Sequence, residues 1–234
     1  MAKSTTGDVE FVSTSRVVLY RCSASDLDVA RAAWVSQSPD AHVKERDPGR
    51  VEGLIRFLWR NHHTSPFEHG QFTFVITTPL FVAREFMRHR TFSFNEISGR
   101  YVELPASFYV PPQGRPLVQT GRVGDYKFSS GDAAMCELTR DVIVAQSRSS
   151  YAAYEKLLAA GVAREVARSV LPLNLMTTFW ASVNPRNLMH FLDLRTATDA
   201  LYEIREVGDA MAEHLRERMP ITHDAWRTSR DELS

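Results

Sequence analysis

Residues 88–101 read RHRTFSFNEISGRY and hold charged and aromatic side chains at unusual density. Charged side chains at this density are normally solvated, whereas aromatic side chains at this density are normally buried, so a stretch that holds both needs a special environment. A pocket for an anionic, planar ligand is such an environment, because arginine forks bind phosphate oxygens and aromatic rings cover a flat base. The stretch therefore predicts a nucleotide site.

The same stretch resembles the signature of the flavin-dependent thymidylate synthases, written RHRxxSxNExSxRY. It matches that signature at every specified position: Arg88, His89, Arg90, Ser93, Asn95, Glu96, Ser98, Arg100 and Tyr101. A lone Arg-His-Arg triplet is more simply explained as the solvated basic end of a helix. Nine matching residue types in register favour the family instead.

The composition of the 234-residue chain, with 44% hydrophobic and 24% charged residues, is typical of a globular protein with one large domain or two small lobes. Because 28 Lys and Arg residues balance 28 Asp and Glu residues, no bulk field drives association with nucleic acid or an acidic membrane. The opening MAKSTTGDVE contains no apolar targeting segment, and no stretch is long and apolar enough to span a membrane. We expect a cytoplasmic protein with no membrane or nucleic-acid partner.

Several common cofactor and metal motifs are absent from the sequence. Cys22 and Cys136, the only cysteines, lack the CxxC or Cys/His spacing of a structural zinc site. Neither the GxGxxG motif of a Rossmann fold nor the P-loop motif occurs. A flavin would therefore have to be held by another kind of site.

Hydrophobic periodicity and capping residues predict alternating strands and helices in the N-terminal half. The predicted strands are one or two around residues 11–20, one at 71–78 and one from 100 to about 110. The predicted helices are one capped by Ser25 or Asp26 that reaches Val35, one that begins with Asp47 as its N-cap and ends near Asn61, and one over residues 79–90 that carries Arg88 near its C-terminal end. Residues 91–99 are expected to form a turn.

The C-terminal half is predicted to be mostly helical, with helices at 132–160 before a C-cap at Gly161, over a short stretch at 162–170, after Asn184-Pro185, and at 199–218 before Pro220. Residues 173–183 favour a strand, although their first part could extend a helix. The glycine and proline content of residues 111–131 predicts a long irregular connection or a crossing between lobes. The pattern predicts a helix-rich, two-lobed α+β subunit with an antiparallel or mixed sheet. Residues 1–234 would form a single flavin-dependent thymidylate synthase domain, whose lobes divide near residues 111–131.

The turn HHTSPFEH at residues 62–69 could, by residue types alone, hold a metal ion through His62, His63, Glu68 and His69. Its spacing differs from the helical HExxH arrangement and its proline makes it a loop, so a strand-entry turn with exposed or capped histidines is the simpler interpretation. We expect no metal. The turn also resembles the family segment that precedes the signature, which implies that Ser65 contacts FAD with His63 beside it.

Basic residues recur at helical spacing in the C-terminal half. Arg164 and Arg168 share a helical face, which either a bound anion or solvent screening would explain. Arg186 and His190 also share a face, whereas Arg195 lies about 140° around the helix from His190 and addresses a different part of a ligand or a different site. Alone, His190 is more often a satisfied helix histidine than a ligand.

The family resemblance implies two overlapping sets of site residues. The dUMP set is Glu85, Phe86, Met87, Arg88, Glu96, Ile97, Ser98, Gly99, Arg100, Arg168 and Arg195. The FAD set is His63, Ser65, Arg88, His89, Arg90, Glu96, Asn184, Pro185, Arg186 and His190. From residue types alone, Glu85 and Arg88 could instead form an exposed ion pair at helical spacing.

The resemblance implies reductive methylation of dUMP to dTMP, with methylenetetrahydrofolate as carbon donor, FAD as redox carrier and NADPH as reductant. Arg195 is the implied catalytic residue, because a permanently charged guanidinium beside a uracil carbonyl stabilises an ionised ring. Ser98 is assigned to binding, since nothing beside it in sequence is an obvious base. The resemblance further implies a homotetramer with sites at subunit interfaces.

Two other classes of protein remain open on the sequence alone. A nucleic-acid-binding module could use the basic residues at positions 84, 88, 89, 90 and 100 with the aromatic rings beside them, although the zero net charge weakens this interpretation. A metal-dependent nucleotide hydrolase could use His63, Glu68 and His69. A yellow protein that bleaches anaerobically with NADPH would favour the flavoenzyme over both.

Overall fold

The computed structural model describes residues 8–37, 40 and 48–231. In this part of the chain the helices are α1 (Asp26–Trp34), α2 (Pro48–Arg60), α3 (Leu80–Phe86), α4 (Ala133–Ala159), α5 (Arg164–Ala167), α6 (Pro185–Arg195), α7 (Tyr202–Arg218) and α8 (Pro220–Asp231). The strands are β1 (Glu10–Val12), β2 (Arg16–Cys22), β3 (Phe72–Pro79), β4 (Ser93–Glu96), β5 (Ser107–Tyr109), β6 (Val118–Arg122), β7 (Asp125–Ser129) and β8 (Met176–Val183). Short 3-10 turns occupy Ser65–Glu68 and Arg168–Val170. The predicted helix-rich α+β class is confirmed.

The strands in the described ranges form three sheets. β2, β3, β8 and β4 lie in that order in a four-stranded sheet. β1 pairs in parallel with β5, and β6 pairs antiparallel with β7. Among the residues that the structure describes, no helix is both long and apolar enough to cross a membrane.

The described chain divides into two compact units. The first unit contains the chain up to Arg16, Thr77–Arg88 and Asn95–Phe179, and the second contains Val17–Ile76, His89–Phe94 and the chain from Trp180. Residues 111–131 lie wholly inside the first unit. That the chain is one functional domain stays a prediction.

The core of the first unit is aromatic, and tyrosines of α4 hold the chain that follows the signature stretch. Phe86 and Phe179 are fully buried, with ring centroids 5.4 Å apart. On α4, the Tyr154 hydroxyl accepts from the Leu104 backbone N–H, and the Tyr151 hydroxyl donates to the Leu104 carbonyl, both at 3.1 Å. These bonds satisfy the backbone of a segment outside regular structure and hold the chain after the signature stretch against a long helix.

The second unit ends with helix α8, whose first turn is bound to α1 and which sequence patterns did not predict. The buried Asp26 carboxylate accepts from the backbone N–H groups of Ile221 at 3.0 Å and Thr222 at 2.9 Å, and from the Thr222 hydroxyl at 2.6 Å. A carboxylate at this position caps the first turn of α8. Ser25 is the N-cap of α1, because its Oγ accepts from the Asp28 N–H at 3.2 Å.

Most predicted elements are confirmed. The early strands are β1 and β2, the strand predicted within 173–183 is β8, and α1, α2, β3, α4, α6 and α7 lie where periodicity predicts them. Gly161, at φ 81°, ends α4 as expected of a C-cap glycine. The predicted N-cap Asp47 lies outside the described residues.

Three predictions around the signature stretch are wrong. The helix predicted over residues 79–90 ends at Phe86, because the Arg88 N–H donates to the Glu85 carbonyl and tightens the chain into a turn. The turn expected at 91–99 contains β4. The strand expected at 100–110 is only β5, since the N–H groups of residues 101 and 102 both donate to the Ser98 carbonyl and close a turn.

Two predictions about glycine and proline also need correction. Residues 111–131 contain the β6–β7 hairpin, whose Gly121 and Gly124 have φ values of 90° and 85°. The left-handed conformation that glycine permits allows this tight hairpin, so glycines that suggested irregular structure mark a turn between strands. Pro220 begins α8 rather than closing the helical region, because proline is favoured in a first helical turn.

Candidate functional site

The first unit brings together Ser98, Gly99, Arg100 and Arg168, which sequence separates by up to seventy residues. A Cβ added to Gly99 would lie 3.0 Å from Cδ of Arg168 and 2.9 Å from a methyl group of Leu104. The Arg100 N–H donates to Oγ of Ser98 at 3.3 Å. The absence of a side chain at Gly99 therefore lets Arg168 approach the turn that carries Arg100.

Arg100 and Arg168 both donate hydrogen bonds to Glu165. Nε of Arg100 donates to a Glu165 carboxylate oxygen at 2.9 Å, and Nε of Arg168 donates to the Glu165 carbonyl at 3.4 Å. The Arg100 and Glu165 side chains are 59% and 53% exposed. An anion from solvent can therefore reach the guanidinium of Arg100, and the carboxylate of Glu165 is its competitor. Arg164, the other member of the predicted pair, lies 3.7 Å from Glu103.

The middle of the signature stretch is fixed to β8 within the first unit. The Glu96 carboxylate accepts from the Thr177 hydroxyl at 2.5 Å, and the Ile97 N–H donates to the Thr178 carbonyl at 3.0 Å. These bonds determine the direction in which the chain enters the turn at Ser98. The buried Thr177 thereby orients a carboxylate that the sequence assigned to both ligands.

In the second unit, the turn at 62–69 lies against α6. The Glu68 carboxylate pairs with the Arg186 guanidinium at the start of that helix. The His63 N–H donates to the Leu58 carbonyl at 2.9 Å, and its ring meets the edge of Phe57 with centroids 5.9 Å apart. The turn therefore presents Ser65 beside α6, and its Glu68 carboxylate is engaged in the ion pair with Arg186. Among the residues that the structure describes, no group of three His, Cys, Asp or Glu side chains is placed to hold a metal ion.

The N-terminal turn of α6 carries the other flavin residues. Oδ1 of Asn184 accepts from the Asn187 N–H at 2.9 Å, which makes Asn184 the N-cap of the helix. Pro185 is buried, whereas Arg186 and His190 are exposed one turn apart. The predicted face shared by Arg186 and His190 is thus present and open to a ligand.

His89 and Arg195 form a pair inside the second unit. Nε of Arg195 donates to Nε2 of His89 at 2.8 Å, and the imidazole packs edge-on against Phe191 with centroids 4.8 Å apart. Burial, with the nearby charges of Arg195 and His190, lowers the pKa of His89 to about 4. The imidazole is therefore neutral at neutral pH, and because Nε2 accepts, its proton is on Nδ1.

The two predicted sets divide between the units. The first unit holds every dUMP residue except Arg195, and the second holds every flavin residue except Arg88 and Glu96. Predicted residues that are exposed are His63, Ser65, Arg88, Arg90, Ile97, Arg100, Arg168, Arg186 and His190. Half-buried ones are Glu85, Met87, His89, Glu96, Ser98, Asn184 and Arg195, and buried ones are Phe86, Gly99 and Pro185. A ligand contact of Phe86 would have to come from its backbone, because its side chain belongs to the core.

Sequence reasoning missed a cleft of about 1080 Å³ in the second unit, between α2, α6 and α8. Arg186 and His190 line it, together with Arg56 and Arg60 of α2. The four-residue spacing of Arg56 and Arg60 was the available signal, because it places both on one helical face. The α8 wall gave no signal, since that helix was not predicted.

Comparisons with known proteins show which family the chain belongs to. A family model described as "Thymidylate synthase complementing protein" matches residues 17–221. The flavin-dependent thymidylate synthase of Streptomyces avermitilis is 48% identical over 229 residues, which cover 94% of this chain and 93% of the relative. The flavin-dependent thymidylate synthase of Thermotoga neapolitana is 42% identical over 210 residues, which cover 90% of this chain and 89% of the relative.

Solved structures show the same similarity. The UMP/dUMP methylase PolB from Streptomyces cacaoi, bound with 5-Br dUMP, is 41% identical with a TM-score of 0.89, over 94% of this chain and 97% of that chain. The structure of PolB bound with 5-Br UMP is 40% identical with a TM-score of 0.86, over 94% of this chain and 96% of that chain. The chain therefore belongs to the family of flavin-dependent thymidylate synthases.

Proposed function

We propose that this chain catalyses the reductive methylation of dUMP to dTMP, with methylenetetrahydrofolate as carbon donor, FAD as redox carrier and NADPH as reductant. The observation that carries the proposal is the 48% identity to a flavin-dependent thymidylate synthase across 94% of the chain. The complete signature at residues 88–101 lies within the matched region. The site residues below are assigned on that basis.

The phosphate of dUMP is assigned to Arg100, Arg168 and Ser98. Two guanidinium groups and a hydroxyl supply the donors that a phosphate dianion needs, and arginine offers them in a planar fork. Glu165 occupies Arg100 through one carboxylate of single charge on an exposed surface. A phosphate with more charge and more acceptor oxygens would replace that carboxylate, because exposed ion pairs are worth only about 0.2–1 kcal/mol.

The flavin is assigned mainly to the second unit, and the donors there fit it. Arg186 and His190 are exposed donors on one face of α6, beside the turn that presents Ser65. Such donors suit an anionic cofactor with a polar ring edge, and the exposed basic residues Arg88 and Arg90 suit its pyrophosphate. When bound, reduced FAD supplies the hydride that converts the transferred methylene carbon into a methyl group. The protein's task is to position and to stabilise charge.

Arg195 is the proposed catalytic residue. Negative charge develops on the uracil ring as its carbon five becomes nucleophilic, and a fixed guanidinium beside that ring stabilises the charge. One well-placed donor of this kind typically contributes about 2.7–4 kcal/mol to the transition state. His89 accepts the hydrogen bond from Nε of Arg195 and is neutral, so it adds no positive charge at the uracil ring. We therefore assign it as a positioning residue that orients Arg195.

Self-association as a homotetramer, with sites at subunit interfaces, is part of the proposal. An exposed apolar stripe on α4 supports it: Met135, Leu138 and Val142 are 41%, 64% and 58% exposed. Their three- and four-residue spacing is typical of a helix that packs against another helix. Light scattering would measure the mass, and Leu138→Glu should lower it because a charge cannot be buried unpaired. A monomeric wild type with full activity contradicts this part. The cytoplasmic location expected from the sequence stays a prediction.

Methylation of UMP is a second candidate activity, because PolB was solved with both 5-Br UMP and 5-Br dUMP at a similar likeness to this chain. The experiment is a chromatographic assay of the purified protein with FAD, NADPH and methylenetetrahydrofolate, given either dUMP or UMP. We expect dTMP from dUMP, and no product when the carbon donor or NADPH is omitted. No product from dUMP under any condition contradicts the proposed function, and faster turnover of UMP replaces it with the second candidate.

A further inference from the structure

The cleft between α2, α6 and α8 has a strongly cationic lining. Four arginines line it, Arg56, Arg60, Arg186 and Arg230, together with one carboxylate, Asp193. Glu52 and Glu68 pair with Arg56 and Arg186 from outside the lining. The whole chain has no net charge, so this is a local concentration of positive charge rather than a property of the surface. A concave site of this kind favours an anion.

Hydrogen bonds between side chains hold one wall of the cleft in place. Nε1 of Trp59 donates to Oγ of Ser229 at 2.8 Å, and that hydroxyl donates to the Trp226 carbonyl at 2.8 Å. Nε1 of Trp226 donates to the Asp193 carboxylate at 2.7 Å. The buried Trp226 and the half-buried Trp59 are therefore fixed before any ligand arrives, which lowers the entropy cost of binding a flat or apolar group against the accessible part of Trp59.

The lining arginines differ in how firmly they are engaged. Arg230 lies 5.0 Å from the Trp226 ring centre and 3.7 Å from the Asp193 carboxylate, and it donates to the Thr196 hydroxyl at 2.8 Å. It is part of the wall. Arg56 pairs at 2.9 Å with Glu52, and the two side chains are 44% and 51% exposed. A ligand anion readily replaces Glu52 as the partner of Arg56, because the pair is exposed. The arginines of α2 are therefore the adaptable charges, meaning those that can turn toward a ligand.

The volume of the cleft matches a sizeable ligand. About 1080 Å³ lies just above the range of about 300–1,000 Å³ that is usual for small-molecule sites. Its α6 wall includes Arg186 and His190, which are assigned to the flavin. A ligand that reaches the flavin at that wall could extend along Trp59 toward Arg56 and Arg60.

We propose that this cleft binds the anionic tail of a co-substrate whose flat ring lies at Arg186 and His190. The proposal rests on the proposed function, in which two co-substrates must reach the flavin. Methylenetetrahydrofolate carries its pteridine ring on a chain that ends in glutamate carboxylates, and NADPH carries its nicotinamide on a chain of phosphates. Both have the required chemistry, a flat ring joined to several anionic groups, and the cationic lining selects for it.

The test removes the adaptable charges of α2. Arg56→Gln with Arg60→Gln keeps the length of the side chains and their helix propensity while it deletes two positive charges. The matched control is Arg50→Gln, which removes an exposed charge from the same helix outside the cleft. All three positions are exposed, so the variants should fold, and melting temperatures verify this.

KM values are measured for NADPH and for methylenetetrahydrofolate with one glutamate and with five, together with flavin content. We expect the double variant to raise one of these KM values about tenfold, while Arg50→Gln leaves all of them unchanged. A rise confined to the five-glutamate donor identifies the carboxylate tail, and a rise for NADPH identifies the phosphates. KM values all within twofold of the control overturn the proposal. Loss of flavin from the double variant also overturns it, because the cleft would then belong to the flavin itself.

Failure of the proposed function is recognised separately, because wild-type protein would then form no dTMP. In that case NADPH and five-glutamate folate are titrated directly, with the tryptophan fluorescence of the protein as the readout. Weaker binding of either ligand to the double variant than to the wild type supports the cleft as an anion site. Equal binding to both proteins contradicts it.

Discussion

Nε of Arg195 donates to Nε2 of His89 at 2.8 Å, across 106 residues of sequence. This bond uses the guanidinium nitrogen next to the aliphatic stem, so it fixes the plane of the guanidinium. Because the acceptor is a neutral imidazole, the pair keeps the full positive charge of Arg195. A carboxylate in the place of His89 would neutralise that charge, which explains why a histidine with a lowered pKa suits a residue that must stabilise an anion.

His89→Phe should lower kcat for dTMP formation by about ten- to a hundredfold, because small misplacements of a catalytic group have effects of this size. The phenyl ring retains the packing against Phe191 but offers no acceptor to Arg195. His89→Gln, whose side-chain oxygen can take the place of Nε2, should recover most of the rate. Steady-state kinetics at saturating substrates measures both variants.

A double-mutant cycle separates positioning from direct flavin contact. In a protein that already carries Arg195→Ala, His89→Phe should cost little further activity, because the partner through which it acts is gone. An equal loss in both backgrounds would falsify the positioning role and leave His89 as a flavin contact alone.

Stability should depend on His89 at mildly acidic pH. The unfolded histidine binds a proton as the pH falls below 6.5, whereas the folded one stays neutral until about 4. The unfolded state thus binds more protons in this window, so the free energy of unfolding must fall as the pH falls from 6.5 to 4. Burial raises the pKa of Asp193, which contributes with the opposite sign but is common to the wild type and His89→Gln. Urea unfolding at several pH values should therefore show a steeper loss in the wild type, and parallel curves would contradict the prediction.

Gly99→Ala should raise KM for dUMP about tenfold, because the new methyl group would lie 3.0 Å from the Arg168 side chain and displace it. Gly53→Ala is the control, since nothing lies within 4 Å of a Cβ added there. Because Gly53 lies in the interior of α2, this change should stabilise the protein by about 0.5–1 kcal/mol and leave KM for dUMP unchanged. An unaltered KM in Gly99→Ala would separate Arg168 from the phosphate.

Glu165→Gln should tighten dUMP binding by about two- to fivefold, because it removes the carboxylate that competes for Arg100 on an exposed surface. Glu103→Gln, which removes the partner of Arg164, should leave dUMP binding unchanged. Calorimetric titration compares the two variants. Weaker binding in Glu165→Gln would mean that the carboxylate orients Arg100 for the phosphate instead of competing with it.

Regular periodicity predicted the fold well where local signals agree with packing. α2, α4, α6 and β3 appear where spacing and caps place them. Prediction failed where a distant partner decides the local structure. α8 begins because the Asp26 carboxylate, 195 residues away in sequence, caps the Ile221 N–H. A short strand such as β4 likewise depends on its neighbour β8, which no local pattern reveals.

The candidate site divides in the same way. The signature stretch was identified because its residue types match the family signature in register. Each matched position then implies the role that the family gives to it. The sequence had no means of pairing His89 with Arg195 or Glu165 with Arg100, since each pair joins separate segments. It also missed the cleft, whose α8 wall was not predicted.

The most direct test of the central claim is dTMP formation by Arg195→Ala beside a measurement of its bound flavin. We expect the variant to be as yellow as the wild type and to turn over about a hundred- to a thousandfold more slowly, because it loses one preorganised donor at the developing charge. Undiminished dTMP formation by a correctly folded Arg195→Ala protein would contradict the account.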